Sequence, residues 1–230
     1  MGDAGVGMQS VPGIVMDRGN VGGSESGQQA GFMGKGAASG DTTWNVDGMP
    51  ITDMSSLSSP FYYDFDMFSE MQVVTGGSDP KSATGGVQMN FMLKSGTNVF
   101  HGSGKAYFEN ERMQSSNLPT ELFYLGAKDA AGNPTGKGDR TEQFMDWGGE
   151  LGGPILKDKL WFWISYGKQD IRILKLSGTH DRTILPNISL KTQGQITKAM
   201  RGSFTFFQAN KQKFGRDASS TRPQETTYNQ

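Results

Sequence analysis

The hydrophobic pattern of the chain changes period once, sharply, at residues 95–98. Before it, "GGVQMNFMLK" (residues 85–94) is an apolar run of strand length. After "SGTN", the segment "VFHGSGKAYFEN" alternates strictly. Phe100, Gly102, Gly104, Ala106 and Phe108 fall on one face, and His101, Ser103, Lys105 and Glu109 fall on the other with Val99 and Tyr107. Period two sustained over about eleven residues is enough for a tilted strand to cross a bilayer.

The same alternation returns further on. In "TEQFMDWGGELGG", Met145, Trp147, Gly149 and Leu151 oppose Glu142, Asp146 and Glu150, with Phe144 as the exception. "LWFWISYGKQDIRILKL", "ISLKTQGQIT" and "GSFTFFQANKQKF" read as three more strands, which makes about five. "SGTHDRTILPN" between two of them reads as a loop, and a tight turn is expected around residues 198–201. Connections alternate in length: a polar stretch at 111–140, a short "GPILKDK" turn, a loop, another short turn, and a polar tail. Alternating long loops and short turns characterises outer-membrane barrels, and the aromatic cluster of Trp161, Phe162, Trp163 and Tyr166 stands where an interfacial girdle is expected. An aromatic core strand of a soluble β-domain is the competing reading.

Upstream of the period change, residues 1–42 are rich in Gly, Ser and Gln, with one short apolar piece, "GIVM". "TTWNVDGMPIT" places Asp47-Gly48 between β-branched and aromatic residues, a hairpin signal. "DMFSEMQVV" (residues 66–74) ends in a strand that Gly76-Gly77 stops.

Composition narrows the classes. Glycine accounts for 33 of 230 residues, about twice the usual ~7%, and 34% of residues are hydrophobic, so a thick continuous core is not expected. The net charge of -1 with well-mixed signs leaves no basic face for nucleic acid. With no cysteine there is no disulfide framework, thiolate zinc site or cysteine nucleophile. "MGDAGVGMQSVPG" has no signal-peptide character, and the longest apolar run, "LWFWI", is far below the ~20 residues of a membrane helix; neither point bears on a barrel.

The catalytic search finds little. Gln29 and Ala131 stand where a phosphate-binding loop before Gly34-Lys35 or Gly136-Lys137 needs glycine. "GKGAASG" misses a dinucleotide fingerprint by one residue, and no GxSxG elbow occurs. His101 and His180 complete no zinc set. Asp64, Asp66 and Glu70 suggest a calcium loop, but Ser69 replaces its glycine, so capping or solvated acids are the reading preferred. The patch "PFYYDFDMF" is either a ligand surface, with Phe61, Tyr62, Tyr63, Asp64 and Phe65 as contacts, or the packing of a small domain.

Together these motifs resemble the TonB-dependent outer-membrane receptors, in particular the Oar-like branch. "NVDGMPI" looks like the DG motif of the plug domain, and "FSEMQVVTGGSDPKSATGGVQMNFMLKSGTN" is similar to the plug's closing segment. Glu70, Gly76, Gly85, Gly86 and Lys94 match that segment position by position. "KSATGG" departs from it, lacking the aromatic residue before the Gly pair. "KSGTNVFHGSGKAYFEN" and "GGELGGPILKDKLWFWISYG" resemble the first barrel strands.

The resemblance implies a mainly β chain: a small α+β plug domain, N-terminally truncated, over residues 1–95, followed over 96–230 by the first antiparallel strands of a transmembrane β-barrel. Barrels of this kind close with about twenty-two strands. An open five-stranded sheet would leave bare edges in lipid, so the chain is expected to be a fragment of a longer product. It implies a non-enzymatic transporter in a Gram-negative-type outer membrane, with no cofactor and no metal. The partners implied are TonB, through a segment missing here, an extracellular substrate and outer-membrane lipid. In this reading Asp47-Gly48 and Gly85-Gly86 shape plug turns, and Glu70 and Lys94 lie near the barrel wall. Loop residues 111–140 and 177–187 join the aromatic patch as candidate substrate contacts. The rival is a surface structural or adhesion protein that uses the barrel only as an anchor.

Overall fold

The computed structural model describes residues 12–16, 32–34, 38–53, 62, 64–75, 86–115, 118–128, 131–176, 178–215, 218, 221–223, 226 and 227. Among these the chain is mainly β. It holds no α-helix, so the helical part of the expected α+β domain has no counterpart in the described residues, whose only helices are short 3-10 turns.

Two strands near the N-terminus, β1 (Ile14–Met16) and β2 (Phe32–Gly34), pair antiparallel. The "GIVM" piece is β1. Next come β3 (Thr43–Val46), β4 (Met49–Pro50), β5 (Phe68–Val74) and β6 (Gln88–Leu93), which form a sheet in the order β4-β3-β6-β5. The β3–β4 hairpin turns at Asp47-Gly48, with φ of 49° and 78°. Positive φ at both central residues is what a type I′ turn demands, and Asp-Gly supplies it at low cost. β3 pairs parallel with β6, and β5 pairs antiparallel with it.

Alternation within β3 and β6 builds the core. Trp44 and Val46 of β3, Met89, Phe91 and Leu93 of β6, and the preceding Val87 point to one side and are buried with Met67 and Trp163. Phe91 lies at the centre, with Trp44 stacked at 5.9 Å and Phe68 at 4.8 Å between ring centroids.

The remaining strands are long: β7 (His101–Asn110), β8 (Arg140–Leu156), β9 (Leu160–Leu174), β10 (His180–Thr197) and β11 (Met200–Ala209), with the short β12 (Gln212–Phe214). They lie side by side in chain order from β7 to β11, while β12 folds back antiparallel onto β10. Two sequence expectations are corrected here. His180–Asn187, read as loop, is the first half of β10: Thr183, Leu185 and Asn187 are buried on one face, which the polar DRT and the proline obscured. The expected fifth strand through Phe214 breaks at Asn210-Lys211, where the Asn210 N–H bonds the Pro186 carbonyl and the chain turns back.

By internal contacts the chain forms two units. The first comprises residues 1–103, 149–166 and 187–209, and the second 104–148, 167–186 and 210–230.

Candidate functional site

Within the first unit, strands β8 to β11 present alternate side chains to the small sheet. Trp163 of β9 is fully buried in the small sheet's core, and Phe207 of β11 packs against it. On the opposite faces, Leu151, Ile164, Phe204 and Phe206 are exposed at 48, 38, 58 and 44%. One face is therefore apolar and open; the other is covered and, beside Trp163 and Phe207, carries polar side chains.

The covered face meets the small sheet through two carboxylates. Asp47, held in its left-handed turn conformation, accepts from the Leu93 N–H at 3.1 Å through Oδ1. Its Oδ2 lies 2.9 Å from Lys191 Nζ and accepts from Thr205 Oγ1 at 3.5 Å. Lys191 is 9% exposed, and its Nζ also donates to the Leu93 carbonyl at 3.2 Å. A lysine so buried is tolerable because its charge is paired and its donors are used.

The second carboxylate belongs to the long strands. Glu150 of β8 receives Lys94 Nζ on both oxygens at 2.9 Å, Ser103 Oγ at 3.0 Å and the Trp163 indole N–H at 3.2 Å. Lys94 directly follows β6, and its own N–H bonds the Met67 carbonyl. Between the two ion pairs, Ser189 Oγ donates to Met67 Sδ at 3.4 Å.

The linker beyond Lys94 is fastened as well. Asn98 Oδ1 accepts from the Asp158 N–H at 2.9 Å and the Trp161 indole N–H at 2.7 Å, while its Nδ2 donates to Asp158 Oδ1 at 2.6 Å. A cavity of about 420 Å³ opens beside it, lined by Thr97, Asn98, Trp161, Gln193, Arg201 and Ser203 among others.

The sequence-derived residues separate into groups. Asp47 and Lys94 are brought to the long strands by ion pairs. Gly48 donates its N–H to Asn90 Oδ1 at 3.0 Å, which ties the turn to β6. Gly86 is buried where a Cβ would come within 2.3 Å of the Asp41 carbonyl oxygen, so only glycine permits that approach. Glu70 is exposed on β5 and accepts from Gln72 Nε2. Asp64 caps a 3-10 turn through Oδ1, accepting the Asp66 N–H at 3.2 Å, which is the capping role read from the sequence. Tyr62 is half-buried, and the backbone of Phe65 lies in that turn; Phe61, Tyr63, Gly76 and Gly85 lie outside the described residues.

Trp163, read with Trp161, Phe162 and Tyr166 as an interfacial girdle, is instead fully buried in the small sheet's core, and Glu150, Lys191 and Thr205 were not singled out as site residues by sequence. Their signal was an interruption of the pattern: a lone acid in "WGGELGG" and a lone lysine in "ISLKT", each on the polar side of a membrane-length strand. Among the described residues no group of three or more metal-ligating side chains converges.

Comparisons with known proteins agree with the strand pattern. The family described as outer membrane beta barrel domain matches residues 92–227. The chain is similar to the TonB-dependent transporter Oar of Myxococcus xanthus, at 32% identity over 158 residues that cover 65% of this chain and 13% of that protein. Among solved structures it is similar in fold to the outer membrane transporter YddB from Escherichia coli, with a TM-score of 0.67, 12% identity, and coverage of 93% of this chain and 31% of that one. The chain thus spans a minor part of the length of either relative.

Proposed function

The chain belongs to the outer-membrane β-barrel domain family and lies in the outer membrane of a Gram-negative-type envelope, and from that premise we propose that it is part of a TonB-dependent receptor that imports a scarce substrate. Residues 1–95 are the closing part of the plug, and 96–230 are the first barrel strands. The apolar faces of β7 to β11 meet lipid, and their polar faces line the lumen.

One observation carries this reading. A small sheet with its own hydrophobic core is seated on the polar face of membrane-length strands by Asp47–Lys191 and Lys94–Glu150. Charged pairs are a reversible fastening, because water resolvates both partners when they part; the apolar contacts that separate with them are those of Trp163 and Phe207. A permanent anchor would be served better by apolar packing, since buried ion pairs contribute little net stability over apolar replacements. The relation to a transporter of Oar type supports release of the sheet by TonB, which would engage a segment outside this chain.

None of the residues named has a catalytic role. The aromatic patch of Phe61, Tyr62, Tyr63, Asp64 and Phe65 and the 111–140 loop are the candidate substrate contacts. Gly76 and Gly85-Gly86 shape the plug, and Glu70 lies close to the barrel wall.

Comparing the solutes accumulated by cells that carry the full-length gene, with and without TonB, tests the proposal. Accumulation of a solute only when both are present is expected. Surface adhesion that persists without TonB, with no solute accumulated, would establish the anchor reading instead.

A further inference from the structure

We infer that the ends of β9, β10 and β11, where they meet the linker that follows β6, form a binding site for a small solute carrying one carboxylate, built on Arg201, Ser203 and Trp161. The inference goes beyond the transport reading and does not depend on it.

Register fixes which side chains share the site. β10 and β11 pair Lys191 with Thr205, Gln193 with Ser203 and Gln195 with Arg201. Lys191 and Thr205 both reach Asp47, so their rung faces the small sheet. Period two then puts Gln193, Ser203, Gln195 and Arg201 on that same face, on the next two rungs toward the strand ends. Those rungs lie beside the tight turns at 157–159 and 198–199, and tight turns of such barrels face the periplasm.

The linker closes the site from the other side. Gly96 is buried so close against β9 that a Cβ would strike the Phe162 carbonyl oxygen, and its own carbonyl accepts from Gln193 Nε2 at 3.4 Å. Asn98 is fixed by Asp158 and by the Trp161 indole N–H. Between linker and strands remains the cavity of about 420 Å³, a size ordinary for small-molecule pockets.

Its lining is that of an anion site with an apolar wall. Arg201 donates from Nε to Gln195 Oε1 at 2.8 Å, and its two terminal nitrogens have no partner among the described residues. The Ser203 hydroxyl, two positions along the same face, is likewise unpartnered among those residues, and none of the described residues lining the cavity is acidic. A guanidinium anchored through Nε presents its remaining N–H groups as a fork, which matches the two oxygens of a carboxylate. One cation balances one negative charge. An exposed guanidinium alone holds an anion weakly. Here the ring of Trp161, whose N–H is already spent on Asn98, adds apolar surface for the rest of the solute to cover. The ligand is thus a monocarboxylate with a compact apolar body. Because linker and strands both line the cavity, an occupant ties one to the other and favours the docked linker.

The test titrates 4-fluorobenzoate, and separately its neutral counterpart 4-fluorobenzamide, into the full-length protein in detergent micelles, read by fluorine NMR. Saturable binding of the carboxylate, several-fold tighter than that of the amide, is expected for the wild type. Arg201→Gln should abolish that preference and Ser203→Ala should reduce it. Lys198→Gln, in the adjoining turn but outside the cavity, should leave it unchanged. The heat-dependent gel shift of the barrel reports that each variant is folded. Equal binding of both probes by the wild type would overturn the inference, as would a preference that survives undiminished in Arg201→Gln and Ser203→Ala. Displacement of the probe by inorganic phosphate at equal concentration would overturn it too, since the site would then take oxyanions without regard to shape.

Discussion

Lys191 Nζ lies 2.9 Å from Asp47 Oδ2 and 3.2 Å from the Leu93 carbonyl oxygen, so one lysine of a long strand grips both the tip of the β3–β4 hairpin and the end of β6. The two places are neighbours because Asp47 also accepts the Leu93 N–H. Removing either charge leaves the other buried without its partner.

Asp47→Ala is accordingly expected to destabilise the seating of the small sheet by about 3–5 kcal/mol, the usual cost of breaking a buried pair from one side. The double variant Asp47→Asn with Lys191→Met should recover much of that loss, because no uncompensated charge remains. Hydrogen exchange of the β3 and β6 amides in the full-length protein reads both effects. Equal exchange in Asp47→Ala and wild type would show that the pair does not hold the sheet.

Two glycines of the same sheet should respond differently to alanine. Gly48 has φ of +78° with open space around its Cβ direction, so Gly48→Ala carries only the backbone penalty of roughly 1–2 kcal/mol. At Gly86 the Asp41 carbonyl carbon and oxygen block the new methyl at 2.7 and 2.3 Å, and backbone cannot step aside as a flexible side chain does. Thermal unfolding followed by tryptophan fluorescence should show the larger loss for Gly86→Ala.

Trp163 joins core and polar seam in one side chain. Its ring is fully buried, and its N–H donates to Glu150. Trp163→Ala should cost roughly 3–5 kcal/mol through the cavity it leaves. Trp163→Phe keeps most of the volume and forfeits chiefly the hydrogen bond, a loss of about 1 kcal/mol. Denaturant midpoints of the two variants measure the difference, and equal losses would mean that the ring's volume contributes little.

The two faces of the long strands should also differ. Leu151→Arg puts a charge on the apolar face, which costs about 2–4 kcal/mol near the bilayer midplane. Ser103→Arg, on the polar face, avoids that penalty. Folding yields into lipid vesicles compare them, and equal yields would argue against lipid contact at Leu151.

Much of this was legible in the residues. Strict alternation from Phe100 to Phe108 and from Met145 to Leu151 marked strands with one apolar face, and Asp47-Gly48 marked the hairpin, whose turn type the φ values then gave. The first half of β10 was missed because its buried face carries Asp181, Thr183 and Asn187, polar residues paired or covered by other parts of the fold. Local hydrophobicity cannot report a partner such as Lys213, which lies 32 residues beyond Asp181. For the same reason Asp47 read only as a turn former: the positive φ is a local property, but its ion pair with Lys191 exists only once the small sheet is seated.

The central claim is that the small sheet sits against the polar face of the barrel strands and is drawn away when TonB acts. Ser189 is fully buried beneath Met67, and Ser189→Cys in the full-length protein would place a thiol there, where residues 1–230 hold no other cysteine. A maleimide small enough to enter the periplasm should label that thiol in energised cells with TonB, and label it several-fold more slowly in cells without TonB. Equal labelling in both would contradict the account.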